Sequence, residues 1–124
     1  MNRKIKFRGK DAFTRRWIIG ALIPNGKRPG IAPFGEPFHL DEVVLETVGQ
    51  FTGLTDMNGK EIYEGDIITD SDLLYEVCWY DDIAAFMTED IESKKPFLLS
   101  DLDLSETVII GNIFDNSSLI SDKQ

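Results

Sequence analysis

Turn-forming residues interrupt this chain of 124 residues so often that only short extended segments fit between them. Asn58-Gly59 is a tight-turn signal, Glu64-Gly65-Asp66 is a second turn, and Asp81-Asp82 is a third. The longest apolar stretch, residues 17–23, is followed at once by Pro24. Many brief apolar segments separated by turns are typical of an all-β barrel or sandwich. The sequence therefore predicts a mainly β protein.

The N-terminal segment carries the pattern of a β-hairpin. Residues 4–8 alternate between charged and apolar side chains, which indicates a strand with Ile5 and Phe7 facing inward. Residues 9–14 have the composition of a turn, and residues 17–23 are rich in the β-branched and bulky side chains of a second strand. We therefore expect a hairpin from about residue 3 to about residue 23.

The segment from residue 24 to residue 37 predicts a long loop. It contains four prolines and three glycines, so no regular element is expected in it. Loops of this length inside compact domains are often functional. The apolar side chains of residues 38–46, which follow, fit a short helix as well as a strand.

Short strands are expected to continue through the rest of the chain, each bounded by turn residues. We place them at residues 47–53, 61–63, 67–69, 73–80, 83–88, 97–99 and 107–114, with one helical turn at residues 102–106. The side chain of Asp66 is expected to cap the turn that contains it.

Three blocks of the sequence resemble a known family. They are residues 47–68 in the centre, residues 5–10 with Trp17 and Gly20 at the start, and residues 108–116 at the end. Together they resemble the YopX family of phage and prophage proteins, although Ser117-Ser118 stands where that family usually has a Pro-Glu pair.

The resemblance carries implications for fold and origin. It implies a phage or prophage origin and a C-terminal half, beginning near Gly59, that folds as a small SH3-like β-barrel. It implies no activity. We accordingly divide the chain into residues 1–58, with the hairpin, the loop and a short strand, and residues 59–120, with the barrel, as two parts of one YopX-like unit.

The charges are distributed unevenly along a chain whose net charge is −9. Residues 1–30 carry nine basic side chains and one acidic side chain, a balance of +8, and the remaining residues have a balance of −17. The candidate binding residues of this basic hairpin are Lys4, Lys6, Arg8, Arg15, Arg16 and Trp17. Such a row is able to bind phosphates while Phe7, Phe13 and Trp17 stack on bases. It is equally able to neutralise the acidic remainder of the chain or to contact the acidic face of a second subunit.

The residues that usually carry catalysis or metal binding form no recognisable set. His39 and Cys78, the single histidine and the single cysteine, are interpreted as a solvated loop residue and a small buried thiol. Residues 53–61 lack the spacing of a P-loop and of an EF-hand calcium loop. The acidic side chains of Asp81, Asp82, Glu89, Asp90, Asp101 and Asp103 are interpreted as a solvated surface. We therefore expect no catalytic residue, no cofactor and no metal site.

These observations favour a non-enzymatic interaction module over an enzyme. Its partner is expected to be a protein or a second copy of the chain. The alternative function is that of a nucleic-acid-binding accessory protein that uses the basic hairpin, and the overall acidity of the chain places this second. A single cysteine and the lack of an apolar run long enough to span a membrane favour a cytoplasmic protein.

Overall fold

A computed structural model describes residues 4–36, 38–70 and 72–121 of the chain. The described residues form eleven short strands, which confirms the prediction of a mainly β protein. The strands are β1 (Phe7–Lys10), β2 (Trp17–Ile23), β3 (Gly30–Pro33), β4 (Asp41–Glu42), β5 (Gly49–Thr55), β6 (Glu61–Tyr63), β7 (Asp66–Thr69), β8 (Leu74–Tyr80), β9 (Ala85–Asp90), β10 (Pro96–Leu98) and β11 (Val108–Asn112). Short 3-10 turns cover Leu45–Thr47, Leu99–Asp101 and Leu104–Glu106, and a one-turn helix, α1, covers Ser118–Ser121.

The chain divides into two compact units, Met1–Gly53 and Leu54–Gln124. Strand β5 runs across the boundary, and Gly53, the last residue on the N-terminal side, has a φ of +87°.

Among the residues that the structure describes, no helix has the length and the apolar character that crossing a membrane requires.

The first unit is built on an antiparallel sheet with the strand order β4-β3-β2-β1-β5. Lys10 lies opposite Trp17 across β1 and β2, which confirms the predicted hairpin; its expected start at residue 3 lies outside the described residues. Strand β1 begins three residues later than predicted, because its pairing with both β2 and β5 begins at Phe7. Ile5, which was expected to face inward, is 52% exposed as a result.

The far edge of this sheet returns to the end of β1 and closes it. Asp11 forms an antiparallel bridge with Val43, and the Val44 N–H donates to the carbonyl of Lys10 (2.8 Å). Strands β1 to β4 therefore form a ring. Ile31 and Val43 are 0% and 1% exposed and form its interior.

One strand lies inside the segment that was predicted as a loop. Strand β3 occupies residues 30–33, so the expectation that no regular element is present between residues 24 and 36 is wrong; residue 37 lies outside the described residues. Pro29 precedes β3 and Pro33 ends it, so neither proline interrupts the strand. Composition did not predict β3, because the strand depends on hydrogen bonds to a neighbouring strand on each side and not on the preferences of its own four residues.

The second unit contains an antiparallel sheet with the strand order β10-β9-β8-β7-β11, which is compatible with the small barrel that was expected. The core consists of Ile62, Ile68, Tyr75, Val77 and Leu99, each at most 4% exposed. The strands predicted within residues 61–80 and 107–114 are confirmed with ends displaced by one or two residues. Strand β9 begins at residue 85 instead of 83, because the turn after β8 extends over residues 81–84.

Asp56 holds the turn between β5 and β6 and ties it to a strand far along the chain. Its side chain is 6% exposed. The carboxylate accepts hydrogen bonds from the N–H groups of Asn58 and Lys60 (both 2.9 Å) and from the N–H group of Ile109 in β11 (3.0 Å). Gly59, which lies between Asn58 and Lys60, has a φ of +77°, as the Asn58-Gly59 turn signal predicts.

Three further buried aspartates cap turns in the same way. The Tyr63 N–H donates to the carboxylate of Asp66 (2.7 Å), which confirms the cap predicted for that residue. Asp90 accepts from the N–H groups of the two residues that follow Ile91, and Asp11 accepts within the β1–β2 turn. The interpretation of Asp90 as solvated surface is therefore wrong, because its carboxylate is needed inside as an acceptor and is 6% exposed.

Replacing Asp56 tests this role. We expect Asp56→Ala to lower the free energy of unfolding by at least about 2 kcal/mol, because three backbone N–H groups lose a charged acceptor. Asp56→Asn should cost less, since its one oxygen still accepts from the turn and only the Ile109 N–H loses its partner. Urea unfolding measures both. Asp103→Ala is the control, because Asp103 is exposed and accepts only from Ser105, and an equal loss there would contradict the argument.

The contribution of Asp56 should also depend on pH. Burial raises the pKa of Asp56, but its hydrogen bonds from Ile109, Lys60 and Asn58 lower it by more, so it lies below its ordinary value. A pKa that is lower in the folded state stabilises the protein above the unfolded pKa, and this stability is lost as the pH falls through the folded pKa. The difference in unfolding free energy between the wild type and Asp56→Ala should therefore be constant from neutral pH to about pH 5 and shrink below about pH 4. Urea titrations across this range test it, and an unchanged difference at about pH 3 would contradict it.

Close packing of β2 against β3 should make Gly20 irreplaceable. A Cβ atom on this buried residue would overlap the backbone carbonyl of Ala32 in the neighbouring strand. We expect Gly20→Ala to lower the free energy of unfolding by about 2 kcal/mol or more, because backbone must shift to make room. The control is Ala21→Ser on the exposed side of β2, which should change stability by less than about 0.5 kcal/mol. Thermal and urea unfolding report both, and a neutral Gly20→Ala would show that the strands are able to separate.

Candidate functional site

The structure brings two of the six predicted binding residues into direct contact. Alternation along β1 places Arg8 and Lys10 on one face, with Lys6 in the same phase just before the strand, and β2 places Trp17 on the same face opposite Lys10. The Arg8 guanidinium lies 4.7 Å from the centre of the Trp17 ring and the Lys10 ammonium 5.4 Å from it. These are cation–π distances, so Trp17 orders the cations around it.

Lys6 makes the corresponding contact with Phe51, which is not among the six predicted residues. Its ammonium lies 4.9 Å from the centre of the Phe51 ring in β5, and the Phe51 N–H donates to the Lys6 carbonyl (2.9 Å). The alternation that identified Lys6 and Arg8 continues to Lys10, so that residue was available from the sequence. Phe51 had no local signal, because its pairing with Lys6 joins distant parts of the chain.

The remaining predicted residues lie elsewhere on the first unit. Lys4 is exposed and precedes β1, and Phe7 alternates to the opposite face from Lys6 and Arg8. Arg15 and Arg16 are exposed in the turn between β1 and β2. The predicted basic row is therefore divided between a sheet face and the end of a hairpin.

The end of that hairpin, residues 11–16, is called the hairpin tip below. The carboxylate of Asp11 accepts from the N–H groups of Phe13 (2.8 Å) and Thr14 (2.9 Å). The Asp11 carbonyl accepts from the Arg15 N–H (3.0 Å), and the Asp11 N–H donates to the Arg16 carbonyl (2.8 Å). The hydrogen bonds to the carboxylate lower the pKa of Asp11, and the bond from the Thr14 N–H is the largest cause. The tip is thus organised around one carboxylate that is 8% exposed.

Two acidic residues near the base of the hairpin tip each have a basic partner within hydrogen-bond distance. The ring of His39 lies 2.9 Å from the Asp41 carboxylate, and this hydrogen bond raises the pKa of His39. The Arg28 guanidinium lies 2.9 Å from the Glu42 carboxylate. His39 is exposed, as the sequence predicted for a loop residue.

A groove of about 360 Å³ opens at the end of the β2–β3 hairpin. Its lining is Ile23, Pro24, Asn25, Arg28, Pro29, Gly30, Leu40 and Glu42. The apolar side chains of the groove are accessible, since Ile23 is 46% and Leu40 is 58% exposed. Leu40 folds back over Gly30, where a Cβ atom would lie 2.7 Å from a methyl carbon of Leu40. A glycine at position 30 is therefore part of how the groove is shaped.

A set of titratable side chains lies on one face of β8 and β9 in the second unit. Glu76 is directly opposite Glu89, and the Tyr80 hydroxyl donates to the Glu89 carboxylate. Burial, and then the charge of Glu89, raise the pKa of Glu76. Burial and the same carboxylates raise the pKa of the half-buried Cys78 thiol to about 12, which disfavours the thiolate that a nucleophile needs. Within the described residues, no three His, Cys, Asp or Glu side chains are arranged to hold a metal ion.

Comparison with known proteins agrees with the architecture described above. The solved fold of protein EF1440 from Enterococcus faecalis is similar, with a TM-score of 0.55 and 21% sequence identity over 94% of this chain and 98% of that one. At this identity the likeness concerns the fold alone. No curated protein matches the chain. The family model described as YopX protein matches residues 6–121, nearly the whole length, and the chain therefore belongs to the YopX family.

Proposed function

We propose that the chain is a non-enzymatic interaction module that binds a protein through the groove at the end of the β2–β3 hairpin. The observation that supports this is the accessible apolar lining, in which Ile23 and Leu40 keep about half of their surfaces in water. Exposed apolar surface that is gathered in a concavity favours binding, because burying it releases water from both partners.

The chemistry of the groove favours a neutral, apolar segment of the partner. Arg28 and Glu42 in its lining neutralise each other, so the groove does not select a ligand by its charge. The lining of Ile23, Pro24 and Leu40 offers flat aliphatic surfaces, and the volume suits one or two large side chains. The proposed occupant is therefore a loop or terminus of another protein that presents an aromatic or leucine-sized side chain.

The setting of this interaction is inferred from the family and from the thiol. YopX resemblance supports a phage or prophage origin, and the single cysteine, a half-buried free thiol, supports a reducing cytoplasm as the place of action. The partner would then be a bacterial or phage protein. A second copy of the chain is the other occupant that the groove is able to accept, and the following experiment separates the two.

Leu40→Asp should weaken partner binding strongly, because a carboxylate in the apolar groove would lose its hydration on binding. The chain is used to capture proteins from bacterial extract, the captured protein is purified, and its affinity for the wild type and for variants is measured by calorimetry. We expect at least tenfold weaker binding for Leu40→Asp, or about 1.4 kcal/mol. Leu73→Asp, a change at a comparably exposed leucine of the second unit, is the control and should bind like the wild type.

Two results would contradict the proposal. Equal affinities for the Leu40→Asp and Leu73→Asp variants would show that the groove is not the docking surface. Light scattering that shows a dimer dispersed by Leu40→Asp, with no captured protein affected, would assign the groove to a second copy of the chain.

A further inference from the structure

The hairpin tip presents one aromatic ring and two guanidinium groups to solvent. Phe13 is 79% exposed, and Arg15 and Arg16 are exposed beside it in sequence. We propose that the hairpin tip binds single-stranded nucleic acid, with Phe13 stacked on a base and the two arginines bound to backbone phosphates. This site is separate from the groove and does not depend on the protein partner proposed above.

The tip is ordered before any ligand arrives. The Phe13 and Thr14 N–H groups donate to the buried carboxylate of Asp11, and the Ala12 N–H donates to the carbonyl of Glu42 (2.9 Å). The Arg16 N–H donates to the Thr14 hydroxyl (3.2 Å). Because these bonds fix the backbone that carries Phe13, stacking costs little additional conformational entropy.

The charge at the tip is available for a phosphate. In the part of the chain that the structure describes, neither Arg15 nor Arg16 forms an ion pair. The three acidic residues nearby are already engaged: Asp11 by backbone N–H groups, Asp41 by His39 and Glu42 by Arg28. The negative net charge of the chain also originates elsewhere, since residues 1–53 carry nine basic and five acidic side chains.

Arg15 occupies a backbone conformation that a glycine would adopt with less strain. Its φ is +64°, in the left-handed region that disfavours residues with a Cβ atom. Lys94 has the same conformation (φ +62°) in the turn that Asp90 holds, so the positive φ belongs to this kind of turn, and Arg15 is the residue that carries it in the hairpin tip.

The surroundings of Phe13 favour a nucleobase over an acidic protein. An aromatic anchor for a protein normally lies within a wider apolar patch, whereas its chain neighbours in the tip are Ala12, Thr14 and two arginines. A base needs only one exposed ring face, and every base has such a face. In a duplex the faces of the bases are covered by stacking, so the single strand is the form that fits.

The experiment measures binding of the full chain to a dye-labelled oligothymidine of about 15 nucleotides by fluorescence anisotropy at about 50 mM salt. Two phosphate contacts on a single strand predict a salt slope of about −1.4, or about sevenfold weaker binding at about 200 mM. Phe13→Ala should weaken binding about tenfold. Its control is Phe34→Ala, which removes another exposed ring of the same unit and should have no effect.

Arg15→Gly separates binding from folding. Removal of the strained Cβ should leave the urea midpoint unchanged or raise it, while loss of one phosphate contact should reduce the salt slope by about 0.7. Lys27→Ala removes an exposed cation of the same unit outside the tip and should leave the slope unchanged.

Several outcomes would overturn the proposal. The first is a lack of oligonucleotide binding at protein concentrations up to about 1 mM, and the second is an unchanged affinity for the oligonucleotide in Phe13→Ala. The others are tighter binding to a duplex of the same length, and binding to a polyglutamate peptide in place of the oligonucleotide. Because Leu40→Asp leaves the tip intact, the oligonucleotide should bind that variant normally even if the groove has no partner.

Discussion

Carboxylates that are withdrawn from water and held by backbone N–H groups fix the turns on which these short strands depend. A strand of three or four residues, such as β6 or β7, gains too little from its own pairing to be stable alone. An aspartate buried at the adjoining turn satisfies N–H groups that no strand partner reaches, and it cannot be removed without leaving them unpaired. Asp56 does so for its own turn and for β11 together, which makes a local turn dependent on a distant strand.

The first unit closes into a ring because its strands are too small to cover an apolar face as a flat sheet. Strands β1, β3 and β4 have two to four residues each and β2 has seven, and a flat sheet of that size would expose its apolar face. The bridge between Asp11 and Val43 joins the chain after β4 to the chain after β1 and encloses Ile31. Gly20 permits β2 and β3 to approach closely enough for the ring to be filled by so few side chains.

The proposed binding surfaces are consequences of this construction. In the first unit, acidic groups such as Asp11 and Glu42 are consumed by internal hydrogen bonds and ion pairs, so the exposed cations of the hairpin tip remain uncompensated locally. The turn that Asp11 stabilises is also what holds Phe13 away from the protein surface. At the other end of β2 the ring leaves Ile23 and Leu40 in contact with water, which produces an apolar groove whose two charged residues, Arg28 and Glu42, pair with each other.

The sequence by itself determined the elements whose signals lie within a few residues. Neighbouring residues were enough to predict the Asn58-Gly59 turn, the alternation that places Lys6 and Arg8 on one face, the short strands of the second unit and the cap by Asp66. The three blocks of sequence together identified the family. The common physical basis of the predicted elements is local backbone preference, which does not depend on what the rest of the chain does.

Only the tertiary structure decided which of those residues meet and which are buried. The contact of Lys6 with Phe51, the burial of Asp90 and the strand β3 all depend on partners separated by long stretches of chain. So does the position of Leu40 over Gly30, without which there is no groove. Composition placed the Pro/Gly-rich segment in a loop because it measures the preference of a residue in isolation, whereas pairing on both sides is enough to make four such residues a strand.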